Sequence, residues 1–135
     1  MNAKVVYLDT SAFLKLIVAE SQSFQLRKRL LNFPTRTSAT LLKTETIRAL
    51  RRSRNDHLIR KANRLFTSIH FIRLDDPLLE AAGHIDPVEL RSLDAIHLGA
   101  ALAVGMDLGA IFTYDARLKK AALLRGFKVE SPGES

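Results

Sequence analysis

The chain contains no cysteine, so neither disulfides nor zinc–thiolate centres are available to it. That absence suits a reducing compartment, and a cytoplasmic location is the expectation. No apolar run approaches the roughly 20 residues that a membrane span requires, so no membrane association is expected. Met1-Asn2-Ala3-Lys4 leads into an apolar run too short for a secretory leader. Neither a GxGxxG loop nor a Walker A pattern occurs, which argues against a nucleotide-driven enzyme. Internal repeats, low-complexity tracts and linkers are also missing.

What is present fits one domain. The 135 residues, 47% of them hydrophobic, suffice to bury a core without covalent staples. Residues 1–130 are expected to form that domain, with 131–135 a frayed tail. The formal charge of +7 favours polyanionic partners such as nucleic acid or an acidic protein. Against that charge, acids gathered in one place would be informative.

Short β-prone runs at 4–8, 35–38, 69–74, 110–113 and 127–129 read as strands. Between them, 10–20, 21–31, 39–52, 56–68, 77 to about 84, 92–104 and 116–124 read as helices. Candidate caps are Thr10 or Ser11, Ser21 or Ser23, and Asp56. Alternating strands and helices predict an α/β fold with a parallel sheet covered on both faces.

Four acids stand out against this frame. Asp9 ends the run Val5-Val6-Tyr7-Leu8, where ligands of open α/β sheets bind, outside the carboxyl ends of strands. Asp115 follows a second such run, Ala110-Ile111-Phe112-Thr113. Glu45 shares a helix face with Leu41, Leu42 and Ala49, and Asp94 shares one with His97, Leu98 and Ala101. An acid on an apolar stripe must be paired, neutralised or bound to a cation. Singly, Asp9 and Asp115 read as helix caps, Asp94 as an acid favoured by the helix dipole, and Glu45 as a partner of Arg48. One cation site accounts for all four. Carboxylates without histidine or cysteine select hard cations, Mg²⁺ or Mn²⁺, which neutralise phosphate repulsion and activate water for phosphodiester hydrolysis.

Leu8-Asp9-Thr10-Ser11, Thr44-Glu45, Leu93-Asp94-Ala95-Ile96-His97 and Phe112-Thr113-Tyr114-Asp115-Ala116-Arg117-Leu118, in this order, resemble the PIN-domain ribonucleases. The likeness is greatest to the VapC toxins of toxin–antitoxin pairs and runs from Val5 to about Val129. It implies a three-layer α/β/α sandwich with a parallel sheet of about five strands. It also implies Mg²⁺- or Mn²⁺-dependent cleavage of RNA, homodimerisation, and inhibition by a VapB-type antitoxin. The family's acids fall on Asp9, Glu45, Asp94 and Asp115, with Asp9 and Asp94 the surest metal ligands. Thr113 falls on the hydroxyl that orients a carboxylate or water, with Thr10 and Ser11 as supporting residues; Tyr114 and Asp86 receive no role.

His97 reads as a core histidine or one behind the ligands, rather than a ligand. Arg91 reads as a solvated loop residue or a phosphate contact. Arg48, Arg51, Arg52, Arg54, Arg60, Lys61 and Arg64 make the densest positive region, suited to RNA backbone, to acidic antitoxin segments, or merely to solvent. Phe13, Leu16, Ile17, Phe24 and Leu26 divide between core packing and a partner-facing surface. Asp75-Asp76-Pro77 reads as a helix start.

Rival chemistries fit less well. A haloacid-dehalogenase-like phosphatase needs a second acid two residues after Asp9, where Ser11 stands. A response-regulator receiver needs a different order of acids. Flap-type DNA nucleases carry more acids and long insertions. The remaining alternative is a non-catalytic basic RNA-binding or assembly domain whose acids are structural.

Overall fold

The computed structural model describes residues 4–134, so the leader reading at Met1–Ala3 lies outside the described residues. Five parallel strands form one sheet: β1 (Val5–Leu8), β2 (Thr35–Ala39), β3 (His70–Ile72), β4 (Leu108–Phe112) and β5 (Val129–Glu130). Their spatial order is β3-β2-β1-β4-β5. The helices are α1 (Thr10–Leu14), α2 (Ser23–Leu30), α3 (Leu41–Arg52), α4 (Ile59–Phe66), α5 (Asp76–Gly83), α6 (Ser92–Val104) and α7 (Ala116–Leu124).

The pleat of β1 divides the molecule into two halves. Val6 and Leu8 join a core built with Phe13, Leu26, Leu42, Leu50 and Phe66 from α1 to α4. Tyr7 points the other way, into a core with Leu98, Ala101, Leu118 and Ala122 from α6 and α7. β4 alternates likewise, with Ala110 and Phe112 on the first side and Ile111 on the second. The result is the expected α/β/α sandwich. α5 and α6 lie close enough that a Cβ on Gly99 would sit 3.3 Å from the Ala82 methyl.

The first three strands step outward in one direction from β1, and β4 and β5 lie on its other side. The chain therefore reverses its direction of winding between β1 and β4. That switch point opens a crevice at the strands' carboxyl ends. The register aligns Leu8 with Phe112, so Asp9 and Thr113, the next residue of each strand, emerge side by side.

Several boundaries differ from the sequence reading. The helix expected over 10–20 ends at Leu14, after which Leu16 and Ile17 bond back three residues and turn inward as buried side chains. Ser21 and Ser23 do not cap α2; Gln22 holds that position, and the Ser23 hydroxyl instead bridges the Glu20 amide and the Val18 carbonyl. Asn55, not Asp56, precedes the short 3₁₀ turn before α4. β5 begins at Val129, because Gly126, at a φ of 83°, turns the chain and the Phe127 amide closes α7 on the Ala122 carbonyl. The tail segment 131–134, expected to fray, is tied to the body: Tyr114 donates to the Pro132 carbonyl at 2.6 Å and Ser131 to the Thr113 carbonyl at 2.5 Å.

Candidate active site

Asp9 lies at the switch point with 3% of its surface exposed. Its Oδ1 accepts from the Ala12 amide at 2.9 Å and the Ser11 hydroxyl at 2.7 Å. Oδ2 accepts from Thr113 Oγ1 at 2.5 Å. Asp9 itself is thus the cap of α1, which corrects the assignment of that role to Thr10 or Ser11. Both hydroxyls are used elsewhere: Thr10 donates to Glu45 and Ser11 to Asp9. Burial pushes the Asp9 carboxyl above its ordinary range, while the bonds from Thr113, the Ala12 amide and Ser11 pull the other way.

The segment after β4 is folded around the same point. The Tyr114 amide donates to Ser11 Oγ at 2.8 Å, and the Asp115 amide to Thr113 Oγ1 at 3.0 Å. Asp115 caps α7, its Oδ1 accepting from the Arg117 and Leu118 amides. Tyr114 is half-buried beneath the Lys15 ammonium, 4.8 Å from its ring centroid.

Glu45 reaches the crevice from α3. Its Oε1 accepts from Thr10 Oγ1 at 2.5 Å and from His97 Nε2 at 2.7 Å, so it does not rely on Arg48, which is exposed. Burial acts to raise the Glu45 carboxyl, but the bonds from His97 and Thr10 outweigh it and hold the group below its ordinary range. Asp94, in the first turn of α6, is held above the ordinary range by burial first, then by the negative charge of Asp115, with smaller contributions from Asp9 and Glu45. The charges of the other three acids therefore act on Asp94, although the four come from four separate segments.

The lone pairs decide what such a set can bind. A carboxylate oxygen accepts about two hydrogen bonds. Asp9 Oδ1, Glu45 Oε1 and Asp115 Oδ1 each already accept two. Asp9 Oδ2 accepts one, and among the described residues Glu45 Oε2, Asp115 Oδ2 and both oxygens of Asp94 accept none. Each acid thus keeps at least one oxygen with capacity left. No three acidic or histidine side chains among the described residues yet converge as a coordination set. Both His97 nitrogens are engaged, by Glu45 and by Tyr7, so the donors with capacity are all oxygens. That donor chemistry fits a hard divalent cation and not zinc.

The other singled-out residues lie apart from this network. Arg91 is exposed and forms no ion pair among the described residues; Asp86 is likewise exposed. Phe13, Leu16, Ile17 and Leu26 are core residues, leaving Phe24, 63% exposed, as the one member of that group on the surface. Asp75 caps α5 through the Leu78 amide. Sequence reasoning missed Tyr7, whose hydroxyl lies 2.7 Å from His97 Nδ1. The signal was a phenol placed among apolar residues in a buried strand.

The sequence and the fold are both similar to those of known proteins. The PIN domain profile matches residues 6–124. Ribonuclease VapC46 of Mycobacterium tuberculosis is 39% identical over 94% of this chain and 97% of its own length. Ribonuclease VapC47 of the same species is 35% identical, over 96% of this chain and 98% of its own. The crystal structure of M. tuberculosis VapC20, described as a sarcin–ricin loop cleaving toxin, superimposes with a TM-score of 0.72 at 18% identity, covering 90% of this chain and 95% of that one. The chain belongs to the PIN-domain family, among the VapC ribonucleases.

Proposed function

We infer that the protein is an endoribonuclease that hydrolyses RNA phosphodiester bonds with Mg²⁺ or Mn²⁺, as the toxin of a type II toxin–antitoxin pair. The observation that carries this reading is the placement of Asp9 and Thr113 side by side at the carboxyl ends of β1 and β4 of a PIN fold, with the charges of Asp115, Asp9 and Glu45 acting on Asp94. Asp9, Asp94 and Asp115 would hold the cation, with Glu45 reaching it through water or positioning the attacking water. When bound, the cation supplies neutralisation of the phosphate charge and a more acidic water. The chain's own residues do the rest. Ser11, Thr113 and the Ala12 amide fix Asp9, while Thr10 and His97 fix Glu45. Held in this way, Glu45 keeps its charge at neutral pH and Oε2 can accept a proton from a water molecule.

The positive surface supports an RNA substrate. Arg48, Arg51 and Arg52 project from α3, the helix that carries Glu45, and Arg54, Arg60, Lys61 and Arg64 follow. All are exposed, and none forms an ion pair among the described residues. Such a surface grips phosphates without reading sequence. A VapB-type antitoxin, homodimerisation and a cytoplasmic location follow from the family reading. No helix among the described residues is long and apolar enough to cross a membrane.

The alternative, a non-catalytic RNA-binding domain, draws on one observation: Asp9 and Asp115 both cap helices. An RNase assay separates the two. Cleavage that requires Mg²⁺ or Mn²⁺ and stops with EDTA supports the enzyme; RNA binding with no cleavage under either metal supports the alternative.

A further inference from the structure

We propose that Tyr7 is a positioning residue for Glu45, acting through His97. The Tyr7 hydroxyl fixes the imidazole as the Nε2–H form, and that N–H then pins Glu45 Oε1. This inference rests on the nuclease reading for its kinetic consequence, but not for its geometry.

The Glu45 carboxylate can only accept, so His97 Nε2, 2.7 Å from Oε1, carries a proton. The Ala39 amide donates to Tyr7 Oη at 3.2 Å, and an amide can only donate. The phenol proton must therefore go elsewhere, and His97 Nδ1 lies 2.7 Å away. Ser38, the other nearby hydroxyl, spends its own proton on the Leu8 carbonyl at 2.6 Å. Nδ1 is then the acceptor, which leaves the ring proton on Nε2, 2.7 Å from Glu45 Oε1. Tyr7 is completely buried, and burial is the main reason its phenol stays protonated. The rings meet edge to face at 5.8 Å, which further limits rotation of the imidazole.

The chain of bonds runs from β2 through β1 and α6 to α3. It transmits the rigidity of the sheet to a glutamate, a side chain with three rotatable bonds. Thr10 also holds Oε1, but its hydroxyl can rotate to other acceptors, whereas the imidazole N–H cannot. With Oε1 doubly held, Oε2 is the oxygen left for water. Strand packing alone would accept phenylalanine at position 7; the hydroxyl serves the bond from the Ala39 amide and the bond to His97.

Two measurements test this. Nitrogen-15 NMR of the full-length protein, without RNA, reads which imidazole nitrogen of His97 carries the proton. The proposal expects Nε2–H in the parent and loss of that preference in Tyr7→Phe. In the RNase assay, Tyr7→Phe should lower kcat roughly tenfold with KM unchanged, as loss of an outer hydrogen-bond partner does. His97→Gln keeps an N–H toward Glu45 and needs no tautomer, so adding Tyr7→Phe to that background should cost little further kcat. A parent protein with Nδ1–H overturns the proposal. So does an equal loss of kcat from Tyr7→Phe in both backgrounds, the mark of a merely structural tyrosine. A parent protein that cuts no RNA would sink the nuclease reading, while the nitrogen shifts would still decide the relay.

Discussion

Thr113 Oγ1 donates to Asp9 Oδ2 at 2.5 Å, joining the ends of β4 and β1 where the sheet changes direction. The same oxygen accepts the Asp115 amide, so one hydroxyl organises two of the four acids. Thr113→Val keeps the shape and removes the proton donor. It should destabilise the protein by about 1–3 kcal/mol, since a buried carboxylate oxygen loses its partner. RNA cleavage should fall with it, and Thr113→Ser should restore both. Urea unfolding and an RNase assay check this; a Thr113→Val protein as stable and active as the parent would contradict it.

The arginines that follow Glu45 on α3 should act on RNA affinity and not on the fold. Arg48, Arg51 and Arg52 are exposed, so replacing them with alanine should barely change the melting temperature. Binding of a single-stranded RNA, measured with the inactive Asp94→Asn protein, should weaken. Its dependence on log salt should become shallower by about 0.7 for each phosphate that an arginine no longer neutralises. An unchanged slope would mean that the RNA lies elsewhere.

Arg29 grips Glu130 with two hydrogen bonds, at 2.7 and 2.9 Å, and ties α2 to β5. The bond from Arg29 is the chief cause that holds the Glu130 carboxyl below its ordinary range. A carboxyl lowered in the folded state stabilises the protein above its unfolded pKa, about 4.3. That contribution is lost as pH falls through the lower, folded value. Arg29→Met should therefore cost about 1 kcal/mol at neutral pH, a modest figure because the pair is partly solvated. The difference between parent and variant should shrink below about pH 4. What remains there is the stacking of Arg29 on Phe33, at 5.1 Å, which does not titrate. A difference that stays constant from pH 7 to about pH 3 would contradict this assignment.

The sandwich was legible in the sequence because it depends on local pattern. β1 and β4 are short apolar runs that stop at a polar residue, and α6 and α7 begin and end where their patterns do. Hydrogen-bond partners were harder to read, because they are chosen across the fold. Asp9 takes the capping role because its backbone is extended where β1 ends, which frees Thr10 to reach α3 and Ser11 to face β4. Tyr7 and His97 are 90 residues apart, and nothing in the local pattern of either announces the other. The edge strands β3 and β5 were misjudged at their ends for a related reason. Their length is set by pairing with β2 and β4, not by their own β-prone residues.

The central claim is that four carboxylates in one crevice form a hydrolytic centre, and Asp94 tests it most directly. Its carboxyl accepts no hydrogen bond among the described residues and caps no helix, so Asp94→Asn removes charge without removing structure. The measurement is RNA cleavage by purified parent and Asp94→Asn proteins in Mg²⁺ or Mn²⁺, with metal-free melting curves beside it. Cleavage should disappear in the variant while its melting temperature holds or rises, because burial and the neighbouring acids disfavour the Asp94 charge. A folded Asp94→Asn protein that cuts RNA at the parent's rate would contradict the claim.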